Sequence, residues 1–128
     1  MDRVSVIIPT LNEASVIERL LAGLKAQTRP ADEVIVADAG STDGTCDLAT
    51  AGGATVVVGP RSGPGAGRND GARHATGDLL VFLDADVVPG STFLAGALAE
   101  IERRDLAVAT CVMKGLSPRA LTRAMVDV

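Results

Sequence analysis

Tryptophan and tyrosine are absent from this chain, and its two phenylalanines leave aromatics at 2% of 128 residues. That scarcity argues against binding by stacked aromatic rings, the common way of holding single-stranded nucleic acid. The core must instead come from Val, Leu, Ile and Ala within a hydrophobic fraction of 47%. No excess of positive charge is present either: the net charge is -4, and the arginines are scattered from Arg3 to Arg123 rather than grouped. A nucleic-acid footprint is therefore not expected, and a cation suits such a surface better. Long apolar runs are missing. The run before Pro9 is too short for a signal peptide, and no later segment approaches the roughly 20 apolar residues that span a bilayer. Cysteine is limited to Cys46 and Cys111, far apart and without metal-ligand spacing, which reads as reduced thiols packed in a cytoplasmic domain. The expected location is the cytoplasm, with contact at the membrane surface if the substrate is lipid-linked.

A single domain of this length buries roughly two-thirds of its unfolded surface, enough for a core without disulfides or a structural metal. VSVII at 4–8 predicts a strand ended by Pro9, and its continuous apolar pattern suits a parallel strand buried on both faces. From Glu13 to Ala26, Ile17, Leu20, Leu21 and Leu24 recur at helical spacing, with Thr10 or Asn12 as candidate cap. EVIVAD at 33–38 predicts a second strand, STDGTCDLATAGG a short helix capped at Ser41 or Thr42, and ATVVVG at 54–59 a third strand. A glycine-rich loop within 59–77 then runs into a helix, followed by a strand at 79–83, a helix around Phe93, Leu94, Ala97, Leu98 and Ile101, and a strand at 106–113. Regular alternation of strand and helix predicts an α/β fold with a mainly parallel sheet flanked by helices. Ser117 and Pro118 open a last helix whose apolar Leu121, Met125 and Val128 lack cover, so the chain reads as the cut-short front half of a longer domain, prone to self-association.

Ligands of open α/β sheets bind beyond the carboxyl ends of the strands, where acids collect in this sequence. In LLVFLDADVV, Asp84 and Asp86 lie two residues apart after an apolar run, so both side chains can face one point. Their repulsion is relieved by a divalent cation; magnesium or manganese takes oxygen ligands and leaves positions open for phosphates. The plain alternative is that these aspartates merely cap the next helix, although Ser91 and Thr92 already offer caps. Asp38, at the tip of the second strand, suits either a ligand hydrogen bond or an Asx turn. Glu13 is either a site residue or the partner of Thr10 in a capping box. Arg68 and Asn69 follow Gly63, Gly65 and Gly67, where backbone N–H groups and a guanidinium suit an anion, or else form a solvated loop. His74 is assigned no chemistry.

Several motifs fail. Neither glycine pattern completes G-x-G-x-x-G, no G-K-[ST] occurs, and DADVVPG lacks the remaining ligands and the glycine of a calcium-binding loop.

VSVIIPTLNE, VIVADAGSTDGT, GAGRNDGARHATGD and VFLDADV, in that order, are specific together. Through them the chain resembles the N-terminal, nucleotide-sugar-binding half of a family 2 glycosyltransferase with the Rossmann-like GT-A fold. The resemblance implies that Pro9, Thr10 and Glu13 line the nucleoside pocket, that Asp38 contacts the base and that Arg68 lies near the nucleotide. It also implies that Asp84 and Asp86 form the Asp-x-Asp motif, Asp84 towards ribose or metal and Asp86 on Mn2+ or Mg2+. The donor would be a UDP- or GDP-linked sugar, transferred with inversion to a saccharide, protein or lipid-carrier hydroxyl. Leu11 and Ala39 depart from the family pattern, Ala39 replacing a frequent second acid, so base preference is not inherited. No residue is identifiable as the general base: Asp105 and Asp127 are the only acids after Glu102. Two other readings stand beside this one. A non-catalytic nucleotide-binding module differs from it only in turnover, and a haloacid-dehalogenase-like phosphatase would make Asp84 a nucleophile but leave the first 78 residues unexplained.

Overall fold

The computed structural model describes residues 3–104. The expected strand at 106–113, the last helix with its uncovered apolar residues, Cys111, Asp105 and Asp127 lie outside them.

The elements run β1 (Val4–Thr10), α1 (Ile17–Lys25), β2 (Glu33–Asp38), α2 (Thr45–Ala51), β3 (Thr55–Val58), α3 (Pro64–His74), β4 (Leu79–Phe82) and α4 (Phe93–Arg104). All strand pairs are parallel, in the order β3-β2-β1-β4. Val6 and Ile8 of β1, with Val36 of β2, meet the buried face of α1, formed by Ile17, Leu20, Leu21 and Leu24. Each of these large aliphatic side chains contributes roughly 1.5–3 kcal/mol through burial. The opposite sheet face carries Ser5, Ile7 and Pro9, and α3 lies across it over β1 and β2.

Pro9 does not end β1. The strand continues to Thr10, with Pro9 opposite Ala37 and Thr10 opposite Asp38. The Ile7 carbonyl accepts from Leu83 N–H, so residues 7 and 9 turn their backbone groups towards β4. The β4 ladder stops at Phe82 opposite Ile7, so the N–H that Pro9 lacks has no strand partner to lose.

Helix α1 starts at Ile17 rather than near Glu13, and the capping box does not form. Thr10 is still in β1, and its hydroxyl donates to Asp38 Oδ1 at 2.6 Å. Helix α2 likewise takes Gly44, at φ 91°, as its N-cap in place of Ser41 or Thr42. The glycine stretch is only partly loop, because α3 begins at Pro64 and Arg68 falls within the helix rather than at its start. Among the described residues β4 stands at the end of the strand order, beyond the cover of α3, and Leu80 and Phe82 are 36% and 44% exposed.

Candidate nucleotide and cation site

The carboxyl ends of the strands open onto a cleft of about 450 Å3. Its walls come from Pro9 and Thr10 at the end of β1, Leu11 and Glu13 after it, Ala37 and Ala39 at β2, Arg61 and Gly63 after β3, Gly67 and Arg68 on α3, and Asp84 to Asp86 after β4.

The segment after β4 places the acids. Leu83, Ala85 and Val87 are buried in the core beneath α1, whereas Asp84 and Asp86 are exposed and line the cleft. Burial alternates through a turn in which Val87 N–H donates to the Asp84 carbonyl at 3.2 Å, with three apolar anchors holding two carboxylates outward. The segment is fixed from behind by Gln27, which is 5% exposed. Its Nε2 donates to the Gly90 carbonyl at 2.7 Å and its Oε1 accepts from Leu94 N–H at 3.1 Å. No sequence motif pointed to Gln27; the only available signal was a polar residue at the end of an amphipathic helix.

Glu13 faces the same acids. Its carboxyl is held above the ordinary value first by burial, then by the charges of Asp86, Asp43 and Asp84. Asp84 accepts from Arg68 Nη2 at 3.0 Å in a solvent-facing pair. Among the described residues no group of three or more His, Cys, Asp or Glu is arranged to hold a metal ion. Two outward carboxylates with a third acid nearby nevertheless suit a hard cation that completes its shell with phosphate and water oxygens.

Asp38 behaves differently. It is 2% exposed and does not line the cleft. Oδ1 accepts from the Thr10 and Ser41 hydroxyls, each at 2.6 Å, while Oδ2 accepts from Gly40 and Ser41 N–H at 3.0 and 2.7 Å. Burial raises its pKa, but hydrogen bonds from Ser41, Thr10 and Cys46 outweigh that and bring it down to about 2. Burial, followed by the Asp38 contact, pushes the Cys46 thiol up to about 11, so it stays protonated and unreactive.

The loops after β1 and β2 are laced together beside Asp38. Asn12, in the left-handed region at φ 54°, receives Thr42 N–H on Oδ1 at 2.9 Å and gives its own N–H to Ser41 Oγ at 2.8 Å. Glu13 N–H donates to Thr45 Oγ1 at 3.0 Å, and Ala14 N–H to Asp43 at 3.0 Å. Ser41, Asp43 and Thr45 thus brace the loop after β1, a role that the sequence, with Ser41 or Thr42 as a candidate helix cap, does not reveal. His74 sits away from the cleft on α3, its Nδ1 2.9 Å from the Asp70 carbonyl oxygen.

Comparison with known proteins identifies the family. The Glycosyl transferase family 2 model matches residues 5–125. The glycosyltransferase AglE of Haloferax volcanii is 36% identical over 106 residues, covering 77% of this chain and 35% of that protein. S. aureus TarS 1-349 in complex with UDP superposes with a TM-score of 0.79 at 31% identity, covering 94% of this chain and 38% of that one. The mannosyltransferase PcManGT from Pyrobaculum calidifontis, in complex with GDP-Man and Mn2+, superposes with a TM-score of 0.74 at 33% identity, covering 92% and 36%. The chain therefore spans little more than a third of the length of these relatives. Its parallel sheet flanked by helices is the Rossmann-like GT-A arrangement, and the match leaves the phosphatase reading of VFLDADVV without support. A cleft across the carboxyl ends of that sheet, together with the match along nearly the whole sequence, makes this chain a member of glycosyltransferase family 2.

Proposed function

We propose that the cleft holds a nucleotide-diphosphate sugar, UDP- or GDP-linked, with its diphosphate at the acidic end and its nucleoside along the wall formed by Pro9, Thr10 and Leu11. The carrying observation is that Glu13, Asp84 and Asp86 line one cleft, Glu13 within electrostatic reach of both aspartates, among mainly apolar and arginine side chains. Asp86 and Asp84 would hold Mn2+ or Mg2+, and a cation there neutralises charge developing on the departing nucleoside diphosphate. Glu13, already crowded by the charges of Asp86 and Asp84, adds negative potential favouring the cation. Arg68 is within reach of the phosphates and exchanges its Asp84 contact for a phosphate oxygen when the donor enters. Asp38 serves this site by fixing Thr10 and Ser41, since its occupied oxygens and burial leave little for a base to contact.

Transfer would proceed by attack of an acceptor hydroxyl on the anomeric carbon, with inversion, as a general base takes the hydroxyl proton. The described acids of the cleft all belong to its cation end, and we assign none of them as that base. The acceptor is a saccharide, a protein or a lipid carrier, met in the cytoplasm or at the membrane surface. No helix among the described residues is long and apolar enough to cross a membrane.

Calorimetric titration of UDP and GDP, with and without Mn2+, tests the reading. Binding that requires Mn2+ and falls at least tenfold in Asp86→Ala is expected. Equal binding without the metal, or unchanged affinity in the variant, would remove the cation assignment.

A further inference from the structure

The segment between β4 and α4 carries both aspartates of the cleft and belongs to no strand or helix. Leu83, Ala85 and Val87 press it onto the core, but apolar contact is non-directional and does not fix the segment along α1. Direction comes from hydrogen bonds at the end of α1. Gln27, just past that helix, donates from Nε2 to the Gly23 carbonyl at 3.0 Å and to the Gly90 carbonyl at 2.7 Å, and accepts on Oε1 from Leu94 N–H at 3.1 Å. One amide thus joins α1, the segment after the aspartates, and an N–H of the first turn of α4 that has no partner within its own helix. Turned over, the amide would set oxygen against oxygen at Gly90 and donor against donor at Leu94, so the contacts are made in one orientation. Beside it, Thr28 N–H donates to the Ser91 carbonyl at 2.8 Å. Gly23, one turn back, leaves room for Pro89: a Cβ there would stand 3.1 Å from Pro89 Cδ. Gln27 itself does not line the cleft.

Hard divalent cations tolerate little displacement of their oxygen ligands, and a working site holds them to within about 0.5 Å. We propose that Gln27 is a positioning residue for the cation end of the cleft: from behind, it sets where the Asp84–Asp86 turn stands and so how much metal the site needs. The inference rests on the nucleotide and cation reading of the cleft given above. Gln27 acts through the backbone of Gly90 and Leu94, not by touching the ligand, so its loss should weaken the grip on the metal while both carboxylates remain present.

UDP and GDP would be titrated at a series of Mn2+ concentrations into the 128-residue chain, Gln27→Met, Gly23→Ala, Val34→Ala and Asp86→Ala, each shown to be folded by circular dichroism. Gln27→Met keeps the length of the side chain without its hydrogen bonds. It should need roughly tenfold more Mn2+ for half-maximal nucleotide binding, the lower range for losing a group that orients metal ligands. Saturating Mn2+ should restore its nucleotide affinity, whereas Asp86→Ala, lacking a ligand, should not recover. Val34→Ala weakens the fold by lost packing beside Val6, away from the cleft, and should keep the wild-type metal requirement. Gly23→Ala gains helix propensity yet presses on Pro89, and should raise the requirement by a smaller factor. If Gln27→Met does not fold, Gly23→Ala decides: a raised requirement supports the assignment and a wild-type one overturns it. A folded Gln27→Met with the wild-type requirement, an equal rise in Val34→Ala, or a loss that saturating Mn2+ leaves uncorrected would also overturn it. Failure of the underlying reading looks different: wild type binds no nucleotide at all, or Asp86→Ala binds as wild type does.

Discussion

Asp38 carries charge into a place where almost no water reaches it. A carboxylate at 2% exposure is tolerable only because hydroxyl and N–H donors surround it, and these hold its pKa at about 2. An unfolded aspartate titrates near about 3.9. Because the folded value is the lower one, the stabilisation is fully present above about pH 4 and is lost as pH falls towards 2, amounting to roughly 2–3 kcal/mol. Asp38→Asn should lower stability by about that much at neutral pH and flatten the loss between pH 4 and 2, as read from urea denaturation at a series of pH values. An unchanged acid limb would mean that Asp38 is not the group responsible. The sequence marked Asp38 as important through its place at a strand tip, and left open whether it faced a ligand or its own loop. That choice depends on Thr10, which the sequence assigned to a helix cap and the fold keeps in β1. Asp84 and Asp86 were more legible, because alternation along a chain is local and their apolar neighbours reveal the buried side.

At the scale of elements, spacing identified the helices and strands while contact decided their ends. The apolar stripe of α1 is the one expected, but its first turn is displaced by the lacing of residues 12–14 to the β2 loop. The glycine stretch is the more instructive case. The sequence suggests either an anion site or a solvated loop there, yet Gly67 and Gly71 lie one turn apart on the side of α3 facing the sheet. A Cβ on Gly67 would come within 3.2 Å of Pro9 Cβ, and one on Gly71 would be driven into Ile7 Cγ2. These residues therefore permit close approach of a helix to a sheet. Helix propensity alone favours alanine over glycine by about 1 kcal/mol. Overpacking against the fully buried Ile7 costs roughly 1–3 kcal/mol and should win at Gly71. Gly71→Ala is thus expected to lower the midpoint of thermal unfolding, while Gly65→Ala, whose Cβ meets nothing within 4 Å, should not. A stabilising Gly71→Ala would show that α3 can move off the sheet.

For the molecule as a whole, the proposed donor cleft is assembled from the ends of all the described strands, and its lining residues fall between Pro9 and Asp86. Donor recognition can therefore be tested on this chain, although it spans only 35% of AglE and the proposed acceptor chemistry has no residue assigned within it. A ligand that binds only the folded form stabilises by mass action, by about 2.7 kcal/mol at a hundred times its dissociation constant. For a domain near this size, each kcal/mol raises the unfolding midpoint by roughly 4–8 °C. Saturating UDP or GDP together with Mn2+ should accordingly raise the midpoint by roughly 10–20 °C. If a cation bridges the acidic end to the diphosphate, neither component alone should give the same rise: the nucleotide would meet the uncompensated charges of Asp84 and Asp86, and the metal would lack its phosphate ligands. Asp86→Ala should abolish the joint effect without lowering the baseline midpoint, because an exposed carboxylate in this cluster contributes repulsion to the free protein. A rise as large with nucleotide alone would place the diphosphate on Arg68 and the backbone, and the acids would then need another purpose.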